Sequence, residues 1–267
     1  MTKISSLIFI VLGFLILIFG VYFSYKNYYP LIINNSKDSQ IISNNSQNNL
    51  YFQAENKLFS INTDNSLDRL ITNTTPLTTS DFSFDPTLSP DKTKNVKAEK
   101  NDDSSTNLNL TDLQTNRIEQ LFKVDSNNIV SQLNYQTNGI FYLTNNQTSS
   151  ILNLFDFGTN QNKTILTLNT PNEIANYNIS KDANSVVLQI KNNQTNENNI
   201  QVSQIKDGSS LQLTTDGQSF YPVFSPEGDQ IAFWHENDGI YKININKTGL
   251  FKIYNYPTKI DQIFTWR

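Results

Sequence analysis

Tyr221-Pro222-Val223-Phe224-Ser225-Pro226-Glu227-Gly228-Asp229-Gln230-Ile231-Ala232-Phe233 reads as strand, tight turn, strand. Ser225 suits the first position of a type I turn, where its hydroxyl can bond the local backbone. Pro226 suits the second because its φ is already fixed, and Gly228 suits the position that needs a positive φ or a bulge. Val223 and Phe224 before the turn, and Ile231, Ala232 and Phe233 after it, are bulky or apolar strand formers. Two more strand-like runs follow, at residues 239–246 and 250–254. Together they make one four-stranded antiparallel unit.

Weaker copies precede it at a period of roughly 42–46 residues, the spacing of propeller blades. Ser89-Pro90-Asp91-Lys92 repeats the turn, and Pro86 precedes Ser89 as Pro222 precedes Ser225. Ser180-Lys181-Asp182-Ala183 is a degenerate copy, followed by a strand at 185–190. Residues 132–136 and 139–143 occupy the remaining place with the turn motif lost. Each copy ends in a strand pair: 106–113 with 117–122, 151–157 with 163–168, and 199–206 with 210–213.

The two ends of this region are complementary. Residues 50–71 align with 231–253 but lack a first strand, and residues 260–267 read as a first strand with nothing after it. Joined in one sheet they complete a blade, with Ile263, Phe264 and Trp266 buried, and the sheet no longer has an open edge. The expected fold is all-β: a β-propeller of five four-stranded blades, or six if residues 72–89 and 122–131 hide another.

The stretch 222–233 resembles the TolB-like (WD40-like) propeller repeat, Pro-x-aromatic-Ser-Pro-Asp-Gly followed by two variable residues and Ile-Ala-Phe, with Glu227 in place of Asp. The resemblance is close in this blade, partial around 86–91 and faint elsewhere. It implies a propeller that binds proteins or small ligands. The same family includes propellers that cap serine peptidases; with no Gly-x-Ser-x-Gly elbow in the sequence, that role is not expected here.

Outside residues 50–267, residues 7–23 are uncharged and mostly apolar, within a charge-free span of 22 residues from Ile4 to Tyr25. At 1.5 Å per helical residue that span crosses a hydrocarbon core of about 30 Å. No small-x-small cleavage site follows, and Tyr22, Tyr25, Tyr28 and Tyr29 suit the far interface. The expected organisation is therefore a cytoplasmic tail (1–6), a single transmembrane helix (7–25), an Asn- and Ser-rich flexible linker (26–49) and a propeller domain (50–267) on the extracytoplasmic side of the cell membrane.

Chemistry is sparse. The chain has no cysteine, which removes thiol nucleophiles and Cys-type metal sites, and one histidine, His235. No Gly-x-Ser-x-Gly elbow, phosphate loop or EF-type calcium loop occurs. Asp102 and Asp103 lie in a polar run suited to a solvated hairpin tip. The sequence thus names no catalytic, metal or cofactor-binding residue and no cofactor, and leaves the binding residues unknown. A net charge of −4 argues against a nucleic-acid partner. The expectation is a non-enzymatic scaffold for another envelope protein or a surface polymer, tied to the membrane by its helix. The alternatives are a propeller hydrolase or lyase acting on an envelope polymer, or a structural part of a cell-surface assembly. Aromatics crowd residues 220–266; most are expected between blades and a minority at a binding mouth.

Overall fold

The computed structural model describes residues 48–63, 74–78, 82, 84–256 and 258–267. All belong to one compact unit, Ser46–Arg267. The expected tail, membrane helix and linker lie outside the described residues, except that the strand at the domain's start begins at Asn49. Among the described residues there is no helix, and none long and apolar enough to cross a membrane.

The strands fall into five antiparallel sheets, four of four strands and one of three. Blade one holds β1 (Asn49–Ala54), β2 (Lys57–Asn62) and β3 (Thr75–Leu77). Blade two holds β4 (Lys94–Lys100), β5 (Thr106–Asp112) and β6 (Ile118–Val124). Blade three is β7 (Ile129–Gln136), β8 (Gly139–Asn145), β9 (Ser149–Asp156) and β10 (Gln161–Asn169). Blade four is β11 (Asn172–Ile179), β12 (Ser185–Asn192), β13 (Asn198–Gln204) and β14 (Ser210–Gln212). Blade five is β15 (Ser219–Phe224), β16 (Gln230–His235), β17 (Gly239–Asn244) and β18 (Phe251–Asn255). The last strand, β19 (Ile260–Trp266), returns to pair with β1 and completes blade one in the order β19-β1-β2-β3.

Five blades agree with the repeat count, with two differences. In blade two the first strand is reduced to a single bridge, Leu88 to Asn95, held by the Val96 N–H donating to Thr87 O at 2.9 Å. In blade one the outer strand is β3, beyond the end of the aligned segment at Ile71; residues 64–73 lie outside the described residues.

The Ser225 turn recurs in three blades with the same hydrogen bonds. The N–H of Gly228 donates to Ser225 O (2.9 Å), that of Lys92 to Ser89 O (2.8 Å), and that of Ala183 to Ser180 O (2.8 Å). All three donors sit at left-handed φ, 78°, 58° and 54°. Only Gly228 does so without a Cβ penalty, so the motif persists in geometry after glycine is lost. Each serine is buried, and its hydroxyl accepts the N–H of the residue five further on: Gln230 (3.1 Å), Lys94 (2.9 Å) and Ser185 (2.9 Å). The same hydroxyl donates to a nearby carboxylate, Asp229 in blade five, Asp91 in blade two and Asp182 in blade four.

Those bonds favour the ionised carboxylate. The Ser89 hydroxyl, then the Thr93 N–H and hydroxyl, draw Asp91 from 3.8 down to about 2. The Ser180 hydroxyl and the Asn184 amide likewise lower Asp182. The unfolded chain therefore binds protons at a higher pH than the folded chain. This part of the stability is complete above 3.8 and is lost as pH falls through about 2. Denaturant titrations at descending pH are expected to show a steep loss in that window, and Asp91→Asn/Asp182→Asn a shallower one. Equal slopes would contradict the role given to these turns.

The second strands of blades three, four and five explain the packing. They are buried on both faces and so read as continuous apolar runs, whereas β1 alternates and β4 is mostly exposed. In β8, Ile140 and Tyr142 meet Val96 and Leu108 of blade two, while Phe141 and Leu143 meet Ile174, Val186 and Leu188 of blade four. In β12, Val187 turns the other way, towards Phe224, Ile231 and Phe233 of blade five. In β16, Ala232 and Trp234 face Leu50, Phe52 and Trp266 of blade one. Four of the five blade interfaces are thus buried apolar clusters. At the fifth, between blades one and two, the described contacts are aromatic. Tyr51 stacks on Phe82 (centroids 4.6 Å apart), and Phe264 lies 5.6 Å from Phe82 and 6.5 Å from Phe84. The Arg267 guanidinium sits over Tyr51 and Phe82, at 5.3 and 5.2 Å.

Candidate functional site: the central channel

The first strands of the blades line a channel. A cavity of about 300 Å³ is walled by segments from all five: Phe84 and Pro86, 132–134, 176–178, 221–223 and 262–264. A second cavity of about 490 Å³ lies towards the turns, where Lys181, Pro226, Trp266 and Arg267 contribute.

The lining strands are not regular. Their pairing shifts between Ser131 and Asn134, between Ile174 and Asn176, between Phe220 and Val223, and opposite Tyr51 and Phe52. These are β-bulges at the same height in four blades, a device that re-aims side chains at a rim or site. Two bulges place non-glycine residues at left-handed φ, Gln132 at 49° and Tyr221 at 53°. Neighbouring blades hold them there. Buried Gln189 of blade four accepts the Tyr221 N–H at 3.0 Å and donates its own amide to Asn198. Gln132 donates its amide to Ala175 O (2.7 Å), and the Tyr177 hydroxyl donates back to Gln132 O. The Tyr135 N–H reaches Pro86 O at 2.7 Å, and the Phe224 N–H reaches Asn178 Oδ1 at 3.0 Å. The channel wall is therefore a belt of hydrogen bonds running from blade to blade.

Sequence reasoning left the binding residues unknown and missed this belt. One signal was present: Pro222 lies inside a first strand, and proline inside a sheet marks an edge or a bulge. Of the crowded aromatics, Tyr221 and Phe264 line the smaller cavity and Phe224 and Trp266 the larger. His235 lies on β16, half-buried, outside both linings, with Nε2 3.7 Å from Asp216. Asp103 pairs with Lys123 at 2.7 Å on the exposed hairpin tip of blade two, and the Lys123 ammonium, with the Ser105 hydroxyl, holds its carboxyl well below the usual range. Among the described residues no group of three or more His, Asp or Glu side chains is placed to hold a metal ion.

No family model and no curated protein matches the sequence. Solved structures do. An oligogalacturonate lyase in complex with manganese is similar over 63% of this chain and 51% of its own, at 15% identity and a TM-score of 0.52. The oligogalacturonate lyase of Vibrio parahaemolyticus is similar over 76% and 58%, at 14% identity and a TM-score of 0.54. The chain spans little more than half the length of either lyase. The fold is a β-propeller. TolB from Acinetobacter baumannii is also similar, over 80% of this chain and 53% of its own, at 17% identity and a TM-score of 0.47. The propeller and its four-stranded antiparallel sheets agree with the TolB-like repeat read at 222–233.

The expectation of a non-enzymatic chain is corrected by these neighbours. Enzymes, the two lyases, are built on the same fold. Absent cysteine and a single histidine were therefore poor grounds for excluding catalysis, because function resides in the site and not in the propeller.

Proposed function

We propose that this protein is a membrane-anchored propeller whose central channel binds a ligand or partner segment outside the cell membrane. The observation that carries the reading is the channel. Five blades converge on it, bulges turn side chains into it, and inter-blade hydrogen bonds hold two of those bulges in a left-handed backbone. Small-ligand sites are pre-formed concavities of about 300–1,000 Å³ with a few convergent polar groups. The anchor rests on the charge-free span 4–25 and the outward orientation on the short tail before it. The polymer or protein bound belongs to the envelope.

A photo-cross-linker at Gln132, exposed at the channel rim, tests the reading in intact cells producing the full chain. The expected result is an adduct from this position and none from Leu211, exposed on outer strand β14. Equal labelling from both positions, or from neither, would overturn it. Shaving of spheroplasts tests the address: protease should cut within residues 26–47, and full protection until lysis would place the domain inside.

A further inference from the structure

The smaller cavity carries no charged side chain. Its lining is carboxamide, aromatic, prolyl and aliphatic. Asp261, next to Gln262, is directed elsewhere and accepts the Asn56 N–H at 3.3 Å. Several lining polar groups are committed to the belt, as described for Gln132 and Asn178, and Asn134 accepts from Gln136 at 2.7 Å. Three are not. The carboxamides of Asn176 and Gln262 and the hydroxyl of Tyr221 make no hydrogen bond among the described residues, although they come from three different blades and line one cavity.

We propose that this end of the channel takes an uncharged, polyhydroxylated ring, a hexose-type unit of a neutral saccharide. The proposal rests on the channel reading above and specifies its ligand. An anionic ligand entering this cavity would lose hydration, find no cation on the lining and meet the field of the nearby Asp261 carboxylate. A sugar hydroxyl both donates and accepts, and so does a carboxamide; an aliphatic ligand would leave all three free groups unpaired. The faces of Phe84, Phe264 and Pro222 supply the apolar surface that the C–H face of a sugar ring covers. Burial, with the Asp261 charge adding to it, raises the Tyr221 pKa above its ordinary value, so the phenol remains a donor at neutral pH.

Calorimetric titration of the detergent-solubilised full chain decides the matter, with maltotriose, cellotriose and chitotriose as neutral probes and trigalacturonate as the acidic one. At least one neutral trisaccharide is expected to bind, and trigalacturonate at least tenfold more weakly. Asn176→Ala and Gln262→Ala should each weaken that binding by about tenfold, the equivalent of one good hydrogen bond, with an unchanged melting temperature. Tyr221→Phe keeps the ring stacked on Trp234 (15° between planes) and should lose affinity through the hydroxyl alone. Preference for trigalacturonate, no binding of any neutral probe, or binding indifferent to all three variants would overturn the proposal. If saccharide binding fails while the Gln132 cross-link still forms, the ligand class falls and the channel reading stands. If both fail, both are wrong.

Discussion

A chain truncated before Ile260 fails to fold, or melts far below the full-length protein. In β19 the side chains of Ile260, Ile263 and Trp266 are buried against Leu50, Phe52 and Ala54 of β1 and against blade five. Fully burying such a side chain stabilises by about 1.5–3 kcal/mol, so the three together approach a typical domain's whole stability of about 5–15 kcal/mol. The loss is not only apolar. The Trp266 indole N–H donates to the Thr63 hydroxyl at 2.9 Å, and Asn49 and Arg267 exchange both backbone hydrogen bonds, at 2.6 and 2.9 Å. Truncation would also leave β1 as a bare sheet edge, a template for aggregation. Circular dichroism melts and size-exclusion profiles of the 1–259 chain check this. A monomer with an unchanged melting temperature would show that β19 contributes nothing.

Phe52→Ala is expected to cost about 3–5 kcal/mol, the usual penalty for removing a fully buried phenylalanine. Phe52 is completely inaccessible and lies within 5.4–6.1 Å, ring to ring, of Phe59 in its own blade and of Tyr254 and Tyr256 in blade five. It therefore plugs the seam at which the two ends of the domain meet. For a domain of this size the melting temperature should fall by on the order of 10 °C. Phe52→Leu refills most of the volume and should restore more than half of that loss. A drop of the same size for both substitutions would mean that the ring stack, and not the cavity, sets the stability.

Much of this was legible because the signals were local. Ser225-Pro226-Glu227-Gly228 announces its own backbone, and the runs around Phe141, Val187 and Phe233 announce strands. Closure was legible because residues 50–71 lacked what residues 260–267 supplied. Other features depended on the neighbouring blade. Phe264 was expected in the core with Ile263 and Trp266; the bulge in β19 turns it into the channel, and Ile260 is buried instead. The first strand of blade two shrinks to one bridge, and β4 (KNVKAEK) packs chiefly through Val96, so its composition hid that strand although the blade itself was counted. Asn176 and Gln262 stood out least of all. In so asparagine-rich a chain an amide carries no mark of its position, and only the bulges that turn it inward give it one.

The five blades are fastened by β1 and β19 in one register, and a disulfide reads that register most directly. The chain has no cysteine, so Gln53→Cys/Gln262→Cys introduces the sole pair of thiols. These residues are Cα partners across the seam, and partners in an antiparallel ladder lie about 4.5–5.5 Å apart, within disulfide reach. Mild oxidation of the folded monomer should link them quantitatively within one chain, seen as a faster band without reductant and a single cross-linked peptide by mass spectrometry. Thiols that stay free in the folded protein, or that link only between chains, would contradict the closure and the blade count built on it.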